Sequence, residues 1–186
     1  MKPRLFIILL LGLAPMQPVF GEEKSPITER KREKALRDND REAEQAMARD
    51  MKLYNNREFR ELETDYQAAS ARFREADAKT VLEAFLKKWP KGGNRVGCAT
   101  LYLAQRSSGE ERERLLRECM AKHDECYFLN GARVGGLARL YLWGHLLGTG
   151  KADEAAKVRA EIEAKYALCN DHSSKLLIDV IQTDTP

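Results

Sequence analysis

Cysteine is scarce in this 186-residue chain: there are four, and none precedes Cys98. That excludes a disulfide-dense miniature scaffold and a lipid-modified cysteine at the end of an N-terminal leader. Proline is nearly as scarce, with six residues, and positions 22–76 hold only Pro26 and no glycine. Collagen-like and Pro/Gly-rich disordered chains are thereby excluded. The longest apolar run is the ten residues from Leu5 to Ala14, about 15 Å of helix and half the thickness of a bilayer core. Charge of one sign is missing as well, since 32 Lys+Arg stand against 29 Asp+Glu. What remains is a chain able to bury a core, about two thirds of its unfolded surface at this size.

The start of the chain orders Lys2 and Arg4, the apolar run, Pro15 and then Val19-Phe20-Gly21. This is the layout of a secretory leader, and it predicts a signal peptide over 1–21 with cleavage after Gly21 and a periplasmic or secreted mature chain. An uncleaved anchor is the alternative, which the shortness of the run disfavours. Of the 32 Lys+Arg, Lys2 and Arg4 leave with the leader, so 30 face the same 29 acids. Such a balance excludes the clustered basic excess of a nucleic-acid binder. Because no other apolar run is as long as that of the leader, no integral membrane span is predicted after cleavage.

Residues 22–76 carry 13 positive and 14 negative side chains, a mixture that favours exposed helix over disorder. Leu36, Ala43, Met47, Met51 and Tyr54 form one helical stripe, and Phe59, Leu62, Tyr66, Ala69 and Phe73 a second after Asn55-Asn56. A charged helical segment with a helical hairpin is predicted there. An oligomerising stalk is the alternative reading of the same stripes, so self-association stays open.

From Asp77 onward the sequence repeats. Gly93-Asn94-Arg95-Val96-Gly97 matches Gly131-Ala132-Arg133-Val134-Gly135, and Gly97 to Leu103 then matches Gly136 to Leu142. A second element ends at Lys88-Trp89, Lys122-His123 and Lys165-Tyr166, and Cys126 corresponds to Cys169. Polar turns at Ser107-Ser108-Gly109 and Gly148-Thr149-Gly150-Lys151 separate the elements, with Asp77 and Asp153 as candidate N-caps. Val134 to Leu147 is apolar nearly all round and must lie among other helices. No segment alternates with period two. An all-α chain is predicted, with 77–186 forming a short α-solenoid of antiparallel helix pairs.

The spacing of Phe59, Leu62, Tyr66 and Ala69, the segment Ala84-Phe85-Leu86-Lys87-Lys88-Trp89-Pro90, and Leu140-Tyr141-Leu142 followed by Gly148 to Ala155 resemble tetratricopeptide-type repeats. The resemblance covers roughly residues 43–180, with a period of 38 to 43. The order of leader, charged helices and repeats is similar to that of exported bacterial envelope proteins. It implies a non-enzymatic scaffold or adaptor that binds a protein or peptide of the cell envelope, with no cofactor.

Candidate site residues follow from the repeat register. His145 aligns with Arg106, a position that stays polar, and with Arg139, Tyr102 and Tyr141 it marks a candidate partner surface, since Tyr and Arg dominate interface hot spots. Packing of both tyrosines in the core is the duller alternative. In an oxidising compartment the four cysteines suggest bridges. Cys98 faces Cys119 across a hairpin turning at Ser108-Gly109, leaving Cys126 and Cys169, and free core thiols are the alternative. Cys119, His123 and Cys126 also have C-x3-H-x2-C spacing, which Cys169 or His172 could complete as a metal site, but His123 falls where the other copies place Trp89 and Tyr166. Gly148-Thr149-Gly150-Lys151 lacks the first glycine and the Ser/Thr of a phosphate loop and follows a helix, so it reads as a turn. No thiol-redox, hydrolase or metalloprotease pattern stands out.

Overall fold

Acidic and basic residues spaced three and four apart, such as Lys34 and Asp38 at 2.8 Å, support a long exposed helix by a few tenths of a kcal/mol per pair. In the computed structural model, which describes residues 27–183, this helix is α1 (Glu29–Leu53). The expected leader and its cleavage point lie outside the described residues. The buried face of α1 is Ala35, Asn39, Ala43, Ala46 and Asp50. The expected stripe is therefore rotated: Met51 is 57% exposed. Small and hydrogen-bonding side chains make this interface, which apolarity alone misplaces.

The interruption at Asn55-Asn56 is a capping box. The Asn55 side chain accepts from the Arg57 and Glu58 amides, and Glu58 reaches back to the Asn55 amide, worth about 1 kcal/mol. It opens α2 (Asn56–Ala71), which buries Leu62, Tyr66 and Ala69 as its stripe predicts. Then follow α3 (Ala78–Lys88), α4 (Asn94–Arg106), α5 (Gly109–Lys122), α6 (Val134–Gly148), α7 (Ala152–Glu161) and α8 (Leu177–Thr183), with a π-helical turn at Ile162–Tyr166 extending α7. Asp77 stands at the N-cap position of α3 but pairs with Arg72. Asp153 lies inside the first turn of α7, after Lys151.

The fold is all-α, with helices packed in consecutive pairs from α2 to α7. In addition α4 touches α2 and α6, and α6 touches α8. Apolar α6 is surrounded accordingly, and Leu137, Leu142 and Leu146 are completely buried with Leu101, Leu116 and Ile162, each worth about 1.5–3 kcal/mol. Among the described residues no helix is long and apolar enough to cross a membrane, and extended pairing is limited to the bridges Tyr127 with Arg133 and Asn170 with Leu176.

Those bridges belong to two loops that share a set of main-chain hydrogen bonds, 43 residues apart. The Cys126 amide donates to His123 O as the Cys169 amide does to Tyr166 O. Val134 and Gly135 at the start of α6 donate to Cys126 O and Asp124 O, as Leu177 and Ile178 at the start of α8 do to Cys169 O and Ala167 O. Each loop therefore supplies acceptors for the otherwise orphaned amides of the next helix. The turn residue has positive φ in both, +77° at Gly131 and +63° at Ser174. By contrast, the match of Gly93 to Gly97 with Gly131 to Gly135 does not survive in space. Arg95 lies inside α4, whereas Arg133 is the N-cap of α6.

Helix α1 spans these loops. Its Asn39 Nδ2 donates to Leu168 O at 2.9 Å and its Arg49 to Glu125 O at 2.7 Å, two carbonyls at the same position of successive loops. At one end Arg32 pairs with Asp179 of α8 at 2.5 Å. At the other, the Asp50 carboxylate accepts the Asn94 and Arg95 amides at 2.5 and 3.0 Å, capping α4 from a distance of 44 residues in sequence.

Candidate functional site

An open cavity of about 230 Å³ is formed where α2, α4 and the tips of the two equivalent loops meet. Helix α2 contributes Tyr66, Gln67 and Ser70, α4 contributes Arg95 and Tyr102, and the loops contribute Phe128, Leu129, Asn130 and His172. Its rings are in mutual contact: Tyr102 lies 4.7 Å from Phe73 and 5.1 Å from Phe128, and the His172 ring is 4.6 Å from Phe128. Such pairs contribute about 0.5–1.5 kcal/mol each beyond area. Leu129 stands at the rim, 62% exposed.

The floor of this groove is fixed by a buried cation. Arg95 is 1% exposed. Its guanidinium grips the Glu63 carboxylate with two nitrogens, Nε and one terminal nitrogen, the latter at 2.8 Å. It also lies 4.7 Å over the Tyr66 ring. Burial raises the Tyr66 and Tyr102 hydroxyls above the usual phenol range, so both remain donors at neutral pH. Desolvation lowers the His172 imidazole despite the opposing pull of Asp171, which favours its uncharged form. The groove thus offers neutral aromatic faces with amide and hydroxyl groups between them.

The five residues expected to share a partner surface separate into three places. Tyr102 lines the groove. Arg106 lies beside it, 5.9 Å over Phe73, with a terminal nitrogen 3.4 Å from Glu75 O. Tyr141 is half-buried, its hydroxyl pushed up to about 12 by burial and by nearby Asp171 and Tyr102. Arg139 is elsewhere, because residues 139 and 141 face opposite sides of a helix. It donates to Asp124 at 2.7 Å and Glu161 at 2.9 Å and stacks 4.1 Å over Tyr166. Asp124 also accepts from Arg133 and from the Tyr166 hydroxyl. Arg139 therefore belongs to an internal clamp, which holds the Asp124 carboxyl below its ordinary range despite partial burial. His145 faces α5 instead, 3.7 Å from Glu113, which Lys151 and Arg117 also contact. Phe128 and His172 were not expected in the site. The signal was the extra residues after each second helix, whose tips carry them.

The four cysteines are free thiols in the structure, so the expected pairing of Cys98 with Cys119 and of Cys126 with Cys169 is not made. Cys126 sits against Gly97 of α4 and Cys169 against Gly136 of α6. These are equivalent seats one helix pair apart, and neighbouring helix axes lie about 8–10 Å apart, beyond the Cα separation a disulfide spans. Cys98 instead contacts Tyr127 O at 3.3 Å. Burial pushes the Cys126 and Cys169 thiols up to about 12 and about 11, and raises Cys98 and Cys119 as well. Thiolate chemistry is disfavoured in that setting.

A second cavity of about 330 Å³ is lined by Asp50, His123, Glu125 and Cys126 beside Arg49, Leu53 and Lys122. Among the described residues no three His, Cys, Asp or Glu side chains gather where a cation could be held. His172, a candidate fourth ligand, is stacked in the aromatic groove instead. His123 ends α5 at the place where Trp89 ends α3 and Tyr166 ends the π-turn. Its imidazole is lowered by burial, as suits an aromatic packing position. The chain matches no protein-family model, no curated protein and no solved structure.

Proposed function

We propose that this protein is an exported, non-enzymatic adaptor whose tetratricopeptide-like helical pairs form a short α-solenoid that holds a peptide or protein partner of the cell envelope. The observation that carries this reading is the open groove of Tyr66, Tyr102, Phe128 and His172 with exposed Leu129 at its rim. Large rigid rings set on helices and on braced loops provide contact area at little entropic cost, which is the character of interface anchors. Burial raises all four thiols above their ordinary range, which disfavours a competing thiolate role.

The test is selection of peptides from a random display library on the purified full chain, followed by titration of the selected peptides. Binding should weaken at least tenfold in Tyr102→Ala and in Phe128→Ala while the helical circular-dichroism spectrum persists. Selected peptides that bind these variants as well as the wild type would refute the groove. The stalk reading has less support, because Ala43, Ala46 and Asp50 of α1 bury against the rest of the chain.

A further inference from the structure

The groove of Tyr66, Tyr102, Phe128 and His172 is unequal in its hydrogen bonding. Carbonyls along it are already occupied. Phe128 O accepts the Gly131 amide at 3.0 Å, Asn130 O accepts Asn170 Nδ2 at 2.9 Å, His172 O accepts Asn130 Nδ2 at 3.1 Å, and Gln67 O accepts the Ser70 hydroxyl at 3.1 Å. Donors are left over. The main-chain amides of Leu129, Asn130 and His172 have no acceptor among the described residues, and all three residues line the groove. The side-chain amide of Gln67, which α2 contributes to the same groove, makes no hydrogen bond among the described residues either.

That imbalance selects among occupants. An added β-strand brings as many N–H groups as carbonyls and needs free acceptors on the edge it joins. A helix offers open carbonyls only in its last turn. One turn of helix about 10 Å across also fills about 400 Å³, more than the cavity of about 230 Å³ can hold. Proline reverses the balance, since it has a carbonyl and no N–H. A polyproline helix leaves every carbonyl open because it makes no internal hydrogen bonds. Charge agrees with this choice: the one guanidinium in the lining, Arg95, is buried against Glu63, which leaves ring faces and neutral amides for the occupant. We propose that the groove takes a proline-rich segment of the partner in the polyproline conformation. The rings of Tyr102, Phe128 and His172 meet its pyrrolidines, and the amides of Gln67, Leu129, Asn130 and His172 donate to its carbonyls. Such a segment is extended before it binds, so little ordering entropy is lost.

This inference rests on the groove reading and names the chemistry of its occupant. Three fluorescein-labelled octapeptides are titrated into the full chain: all proline, alternating Thr and Val, and alternating Gly and Ser. The proline octamer should saturate and bind about tenfold or more tightly than the other two, and Tyr102→Ala should weaken it by about the same factor. Gln67 is exposed, so Gln67→Glu exchanges a donor for an acceptor without disturbing the core. It should weaken the proline octamer about threefold or more. In nitrogen-15-labelled protein the amide resonances of Leu129, Asn130 and His172 should move downfield as the octamer is added. A preference for the Thr-Val octamer would overturn the inference, as would proline binding that leaves those three resonances in place or is untouched by Gln67→Glu. Library-selected peptides that need Tyr102, with no binding of the proline octamer, would overturn the proline assignment and leave the groove standing. Failure of both the library and the octamer would overturn the two together.

Discussion

Removing the Asp50 side chain tests whether α1 is built into the fold or merely laid upon it. Asp50 is 1% exposed, and its two carboxylate oxygens accept the first two amides of α4. In Asp50→Ala those amides lose their partner, at about 1–3 kcal/mol for each buried donor left unmade. Two effects oppose the loss. The adjoining cavity of about 330 Å³ can admit water to the exposed amides, and the burial penalty of the carboxylate disappears. A net loss of about 2 kcal/mol follows, a fall of about 4–8 °C in melting temperature for a domain of this size. Asp153→Ala, at an exposed first-turn aspartate that caps nothing, is the control and should cost under about 1 kcal/mol. Thermal melts followed at 222 nm compare the two, and equal shifts would refute the claim that α1 caps α4. Asp50→Asn adds a sign. Desolvation is the largest influence on Asp50 and raises its carboxyl above the ordinary aspartate value. The folded state therefore holds that proton more readily than the unfolded state. Its stabilising contribution relative to Asp50→Asn is complete below the unfolded value and declines as pH rises through the folded one. Urea melts of both proteins across the acid range measure this difference, and a gap that widened in favour of the wild type with rising pH would contradict it.

Ser174→Gly should stabilise by about 1 kcal/mol, because Ser174 holds the left-handed conformation that Gly131 holds in the equivalent loop; differential scanning calorimetry reads it as a rise of about 2–4 °C. Two glycine replacements should have opposite signs. A Cβ on Gly97 would stand 2.5 Å from Cys126 Sγ and 2.8 Å from its Cβ, so Gly97→Ala should lose about 1–2 kcal/mol after the helix-propensity gain. Gly144→Ala on α6 meets nothing within 4 Å and should gain about 0.5–1 kcal/mol, with chemical denaturation deciding both. The buried thiols should react with an aromatic disulfide reagent at pH 8 in fewer than one equivalent over minutes, then in four equivalents once urea is added. Rapid reaction of several thiols in the native protein would contradict their raised pKa values.

Helix content and pairing were legible because Phe59, Leu62, Tyr66 and Ala69 recur at helical spacing and the turns at Ser107-Ser108-Gly109 and Gly148-Thr149-Gly150 carry Gly, Ser and Thr. The tail of each second helix was legible too. The correspondence of Lys122-His123 and Cys126 with Lys165-Tyr166 and Cys169 is the same 43-residue step that the loop hydrogen bonds follow. The candidate site was readable only in part. Tyr102 and Arg106 lie one helical turn apart and reach one groove, but Arg139 and Tyr141 were grouped by type rather than by helical angle. Phe128 and His172 could not be ranked without knowing that their loops fold back onto α4. The loops use backbone hydrogen bonds, which any residue supplies, so composition carries little trace of them.

The least legible element was α1, and the reason is chemical. Beside the small residues Ala43 and Ala46, which pack on Tyr127, its contacts are made by Asn39, Arg49 and Asp50, residues that any hydropathy pattern assigns to solvent. Asn39 and Arg49 are ten residues apart, about 15 Å along a helix, and they bind the equivalent carbonyls Leu168 O and Glu125 O. The length of α1 is thereby coupled to the number of loops beneath it. From Arg32 on α8 to Asp50 at α4 it covers two loops and the helices they cap. A chain with one more such loop would need about ten more residues of α1, with a further polar donor at the next step of ten. The charged segment, which by composition alone reads as a solvated surface, is instead a brace whose polar residues are placed at the spacing of the structure it crosses.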